Sequence, residues 1–149
     1  MKDLGTLGSY ALSSAGRRVN NKGQVTGWSN LNNTSGYIRA FIYSNGKMKN
    51  LGVLSGGEYS VGNDINNYGQ VVGQSLKYTY PAFRHAFLYK NGTMADLNTL
   101  IDPNSDWVLY EATSINDAGW ITGVGIRPNS ATYWSQKSFL AIPCPSSSC

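Results

Sequence analysis

Short runs of apolar residues broken by Gly, Asn and Ser turn clusters recur along the chain, a pattern of short strands and tight turns in place of amphipathic helices. The segment Val19-Asn20-Asn21-Lys22-Gly23-Gln24-Val25-Thr26-Gly27-Trp28-Ser29 reads as a strand end, a turn and a second strand. It recurs 46 residues on as Ile65-Asn66-Asn67-Tyr68-Gly69-Gln70-Val71-Val72-Gly73-Gln74-Ser75. A third copy, offset by 50, is Ile115-Asn116-Asp117-Ala118-Gly119-Trp120-Ile121-Thr122-Gly123-Val124-Gly125. Asn and Gly at the turn tolerate positive φ, as a tight hairpin requires. A third strand follows in each copy, at Arg39–Tyr43, His85–Tyr89 and Lys137–Ala141. The first two copies continue through Asn45-Gly46 and Asn91-Gly92, strong hairpin signals, into fourth strands at Met48–Leu51 and Met94–Leu97. The expected fold is therefore all-β, with repeated four-stranded antiparallel units.

The third copy runs from Ile142 into Pro143 with no Asn-Gly turn and no fourth strand. Met1-Lys2-Asp3-Leu4-Gly5-Thr6-Leu7 matches Met48-Lys49-Asn50-Leu51-Gly52-Val53-Leu54 at an offset of 47. The expectation is that Met1 to Leu7 pairs with the strand around Phe139 to Ile142, in this chain or in a partner, covering exposed sheet edges. The alternative is a longer array cut at an arbitrary boundary. The chain divides into units at about 8–54, 55–100 and 101–143, a closing strand 1–7 and a tail 144–149. A β-propeller-like arrangement with N-terminal strand closure follows, with a threefold β-prism or β-trefoil as the alternative. Three blades leave a wide centre, so a homodimer forming a six-bladed ring is expected.

Arg84-His85-Ala86-Phe87-Leu88-Tyr89, with Asn91-Gly92, Met94, Asp96-Leu97, Asp3-Leu4-Gly5-Thr6-Leu7-Gly8 and Asp64-Ile65-Asn66-Asn67 before Gly69-Gln70-Val71-Val72-Gly73, resembles the HAF-type extracellular repeat. That family takes its name from the His-Ala-Phe triplet. The likeness covers nearly all of the chain outside the tail, although only the middle copy keeps the full triplet. It implies a secreted or cell-surface bacterial protein with no catalytic residues to carry over.

A chain of 149 residues fits one domain. The net charge of +4 comes from basic residues spread singly, Arg17-Arg18 being the adjacent pair, so no clustered nucleic-acid footprint is present. No apolar run reaches the roughly 18 residues of a membrane span, and membrane insertion is not expected. The start lacks a basic-then-apolar signal pattern, which leaves open that a signal peptide was removed. Cys144 and Cys149 are spaced to close a small disulfide loop, hinting at an oxidising compartment, or they are two unpaired thiols of a loose tail.

Arg39, His85 and Lys137 share one alignment column. They form either a ring of cations able to attract an anion or acidic glycan, or, more simply, local pairs with carboxylates such as Asp64 or Asp96. The connections between second and third strands are the least alike and carry Tyr37, Tyr78, Tyr80, Phe83, Tyr133 and Trp134, with Trp28 at the first loop's threshold. Aromatic faces beside Asn and Ser suit sugar rings or a protein partner, or else pack between sheets. Trp107 and Tyr110 read as core.

His85 is the lone histidine, so no multi-histidine metal site is expected within one chain, and no cofactor motif is present. Asp102, Asn104 and Asp106 match only the start of a calcium loop and read as a surface turn. The acceptor triplets at Asn32, Asn33 and Asn91 carry no functional information by themselves. The expected function is a non-enzymatic structural or interaction module, with glycan binding through the aromatic loops as its sharper form. The alternative is a polysaccharide-acting hydrolase, for which Glu58, Asp64, Glu111 and Asp117 are the available carboxylates.

Overall fold

The computed structural model describes residues 1–10, 13–32, 37–77, 84–127 and 136–144. Its strands form three antiparallel sheets, none closed into a barrel. Unit 1 holds β1 (Ser14–Val19), β2 (Val25–Asn30), β3 (Ile38–Ser44) and β4 (Lys47–Asn50) in that order across the sheet. Unit 2 repeats it with β5 (Ser60–Ile65), β6 (Val71–Leu76), β7 (Arg84–Lys90) and β8 (Thr93–Asp96), followed by a short 3-10 turn at Leu97–Thr99. Unit 3 contributes β9 (Val108–Ile115), β10 (Ile121–Ile126) and β11 (Lys137–Ala141), with β10 in the middle. The all-β expectation holds, while the third sheet has three strands among the described residues instead of four.

The local chemistry accounts for these strands. At the β3–β4 and β7–β8 hairpins, Asn45 and Asn91 adopt φ of 51° and 53°, and Gly46 and Gly92 adopt 80° and 85°. Positive φ at both central residues is the turn whose twist matches its flanking strands. At the first hairpin of each unit the Asn side chain closes the turn: Asn20 Oδ1 accepts from the amides of Lys22 and Gln24, and Asn66 Oδ1 from those of Tyr68 and Gln70. Mid-sheet, Gly27, Gly73 and Gly123 face Phe41, Phe87 and Phe139 across the strands. A Cβ on these glycines would fall 1.9–2.0 Å from the carbonyl oxygens of Ala15, Val61 and Glu111, a gap only glycine fits. In units 2 and 3 the rings of Phe87 and Phe139 lie over the vacancy, so the Phe of the third strand and the Gly of the second strand form one packing device there.

Consecutive units pack face to face. Ala40 and Ile42 of unit 1 meet Ile65, Val71, Phe87 and Tyr89 of unit 2. The opposite face of unit 2, with Val72, Ala86 and Leu88, meets Leu109, Ala112, Ile115, Ile121 and Phe139 of unit 3. A ladder of asparagines locks these faces: Asn20 Nδ2 donates to the Asn66 carbonyl at 2.9 Å, and Asn66 Nδ2 to the Asn116 carbonyl at 3.1 Å. Beside it, the Asn21 amide donates to Asn67 Oδ1, and the Asn67 amide to Asp117 Oδ1.

One expectation is corrected. Residues 1–7 do not complete the third sheet of their own chain; they form no strand and lie against unit 1. The Leu7 amide donates to Ser29 Oγ at 2.9 Å, and Ser14 Oγ donates to the Gly5 carbonyl at 2.7 Å. Tied to unit 1, the segment cannot reach β11, because unit 2 stands between units 1 and 3 and each packs on it.

Candidate functional site

The first strands of the three units lie side by side, and each carries a bulge near its middle. Aligned bulges fall at Arg17, Asn63 and Thr113, where one extra residue swings its side chain off the regular alternation, and β9 has a second at Tyr110. An open pocket of about 310 Å³ results, lined by Arg17, Arg18, Asn63, Glu111 and Thr113. Asn63 is its hub. Its side-chain oxygen accepts from Arg17, and its Nδ2 donates to Glu111 Oε1 at 2.8 Å and to the Ala112 carbonyl at 2.9 Å. Next to it, Asp64 Oδ2 accepts from Ser114 Oγ at 2.6 Å and from the Ile115 amide at 2.9 Å. Arg18 Nε stands 3.8 Å from Asp64 Oδ1, an exposed pair of small energetic weight. Two guanidiniums and two carboxylates balance in charge, and Thr113 Oγ1 donates to the Thr122 carbonyl. The arrangement offers donors and acceptors to a polar ligand, and its one hydroxyl–carboxylate contact, Ser114 on Asp64, is shared with the Ile115 amide.

A second cluster lies in unit 2. Asp96 Oδ2 is 2.7 Å from His85 Nδ1 and 2.9 Å from Lys77 Nζ, while Oδ1 accepts from the amide and side chain of Asn98. Burial alone would push the Asp96 carboxyl up, but the bonds from His85, Lys77 and Asn98 outweigh it and hold the group well below the usual carboxylate range. The same Asn98 clips β9, donating to the Leu109 carbonyl and accepting from its amide. This cluster therefore anchors the crossover between units 2 and 3.

Of the cationic column, Arg39 and His85 each meet their own neighbours. Arg39 donates to the carbonyls of Ile38 and Glu58; burial lowers its pKa, against the nearby charges of Glu58 and Tyr37. His85 is buried on Asp96, and Lys137 is exposed at the start of β11. Tyr37 is thus brought to Arg39, while Trp28 is half-buried on β2. Tyr78, Tyr80, Phe83, Tyr133, Trp134, Asn33 and Cys149 lie outside the described residues. Cys144 is disulfide-bonded. Trp107 packs on the second core cluster and carries the Arg127 guanidinium over its ring at 5.8 Å. Burial raises the Tyr110 pKa. Among the described residues, no cluster of three or more His, Cys, Asp or Glu side chains could hold a metal ion. Nor, among the described residues, is any helix long and apolar enough to cross a membrane.

No family model matches the chain, and neither a curated protein nor a solved structure matches it. The sequence singles out Glu111 as a hydrolase candidate and Asp64 as that or as a partner of the cationic column, but not the Arg17–Asn63–Glu111 line. The available signal was the repeat alignment, which sets Arg17 and Asn63 at one position, 46 residues apart.

Proposed function

We propose that this chain is a non-enzymatic structural and interaction module, secreted or displayed at a cell surface. The observation that carries the reading is the use made of its carboxylates. Asp64, Glu111 and Asp117 each accept hydrogen bonds from a neighbouring unit, and Asn67 holds the Asp117 carboxyl below its ordinary pKa. Glu58 lies two residues before β5, and its carbonyl accepts from Arg39 of unit 1. The acids are spent on stiffness, and a stiff repeated frame with dissimilar loops is a binding architecture.

The convergence of β1, β5 and β9, with sheets packed face to face around them, supports a radial, propeller-like arrangement, the threefold prism or trefoil being the alternative. The disulfide at Cys144 supports an oxidising compartment. The sharper form is glycan binding by the loops that carry Tyr37, Tyr78, Tyr80, Tyr133 and Trp134.

A glycan array tests it. Binding that is lost in Trp134→Ala or Tyr80→Ala supports the sharper form, and an array with no signal removes it and leaves the scaffold reading. Polysaccharide turnover abolished by Glu111→Gln would replace the module with the hydrolase.

A further inference from the structure

The joint between units 1 and 2 serves as a template for the two ends of the array. Residues 48–54 leave unit 1 as its fourth strand and cross onto unit 2. The Gly52 amide donates to Asn50 Oδ1, Ser60 Oγ donates to the Gly52 carbonyl, and the Leu54 amide donates to Ser75 Oγ. Gly52 has a φ of 81°, and Lys49 Nζ sits 5.6 Å above the Tyr89 ring. Residues 1–7 reproduce every one of these features on unit 1. The Gly5 amide donates to Asp3 Oδ1, Ser14 Oγ to the Gly5 carbonyl, and the Leu7 amide to Ser29 Oγ. Gly5 has a φ of 76°, and Lys2 Nζ sits 5.5 Å above the Tyr43 ring. Met1–Asp3 is therefore held where the fourth strand of a preceding unit would leave it, and it pairs with none of the three described sheets.

The far end lacks what the near end presents. Unit 3 has no strand beyond β11 among the described residues, and its outer face carries Thr122, Ser138 and Leu140, all exposed. Their counterparts Val72 and Ala86 are fully buried against unit 3, whereas Leu140 is 54% exposed. At the near end Val19 is 65% exposed, against 5% for its counterpart Ile65. The ladder is interrupted at the same two places. Among the described residues, Asn116 Nδ2 and the Asp117 amide lack the acceptors that serve Asn66 Nδ2 and the Asn67 amide. At the opposite end, again among the described residues, Asn21 Oδ1 lacks the counterpart of the amide that donates to Asn67 Oδ1.

We propose that a second copy of this chain docks head to tail on the outer face of unit 3, its Met1–Asp3 segment pairing along β11 as the fourth strand of that sheet. The register follows from the first two units, where Phe41 faces Asn50 and Phe87 faces Asp96. Phe139 then faces Asp3 of the second copy, and Leu140 faces its Lys2. Asn116 Nδ2 reaches the second copy's Asn20 carbonyl, and the Asp117 amide its Asn21 Oδ1. Val19 of the second copy is buried as Ile65 is within the chain. Two copies joined at both ends form a ring of six units, inside the range of about 4–8 that radial sheet assemblies span.

Sedimentation equilibrium of the full chain up to high micromolar concentration is expected to give twice the chain mass. Leu140→Asp and Val19→Asp alter exposed side chains on opposite ends, so each variant folds but has one defective end. Each alone should raise the dissociation constant by about tenfold or more. Mixed one to one, they should associate again, because the unit 3 face of the Val19→Asp copy and the unit 1 face of the Leu140→Asp copy are both intact. Hydrogen exchange at the β11 amides should slow on association and revert in either variant. A chain monomeric at every concentration, a dimer that neither substitution weakens, or a mixture that associates no better than its components would overturn the proposal.

Discussion

Units 2 and 3 share one strand plan and differ in what surrounds them. Unit 2 is covered on both faces, so Val71 and Val72, neighbours on β6 that point to opposite sides, are both fully buried. Unit 3 has one covered face: Ile121 is buried while the next residue, Thr122, is exposed. The same position in the unit is thus core in one copy and surface in another. Burial here belongs to the neighbour, and stability should follow the neighbour as well.

The largest contrast is expected between Phe87 and Leu140. Phe87→Ala removes a ring with 0% exposure that covers Gly73, and should cost about 3–5 kcal/mol. Leu140→Ala, measured at dilution, should cost no more than about 0.5 kcal/mol. Urea unfolding of both variants checks the pair, and equal losses would break the comparison.

A smaller contrast is electrostatic. Unit 2 carries Asp96 where unit 1 has Asn50, facing the equivalent phenylalanine. Asp96→Asn should cost about 2–3 kcal/mol at neutral pH, since His85 and Lys77 lose their anionic partner. The folded carboxyl titrates below its unfolded value, so its contribution is complete above that value and is lost as pH falls towards the folded one. The gap between parent and variant should therefore narrow below about pH 4. A gap that stays constant from neutral pH down to strong acid would remove the ion-pair account.

The ladder gives the smallest contrast. Asn66→Ala breaks a bond to Gln70, a bond to unit 3 and the turn closure, and should lower stability by about 2 kcal/mol. Asn116→Ala breaks the Trp120 amide bond at an exposed turn and should cost about 0.5–1 kcal/mol in the monomer. Thermal unfolding at matched dilution distinguishes the two.

The sequence reading reached the hairpins and the three copies because turn chemistry and strand alternation act over a few residues. Asn45-Gly46 forces its turn wherever it stands, and so does Asn91-Gly92. It also foresaw a carboxylate for His85, naming Asp96 among the options, since both lie on adjoining strands of one hairpin. It did not find the Arg17–Asn63–Glu111 pocket, which depends on bulges that displace single residues along these strands. A bulge adds no distinctive residue here, only a shift in register.

By itself the sequence determined the all-β character, the repeat and the turn positions, each set by backbone preferences of neighbouring residues. It also carried the likeness between residues 1–7 and 48–54. Only the tertiary structure decided where that segment goes, because Ser14 and Ser29 are separated from it by intervening chain and become its partners once unit 1 has folded. Likewise only packing decided which faces are core. A pleated strand presents two faces of similar composition, and the one that leaves water is chosen by the sheet that arrives against it.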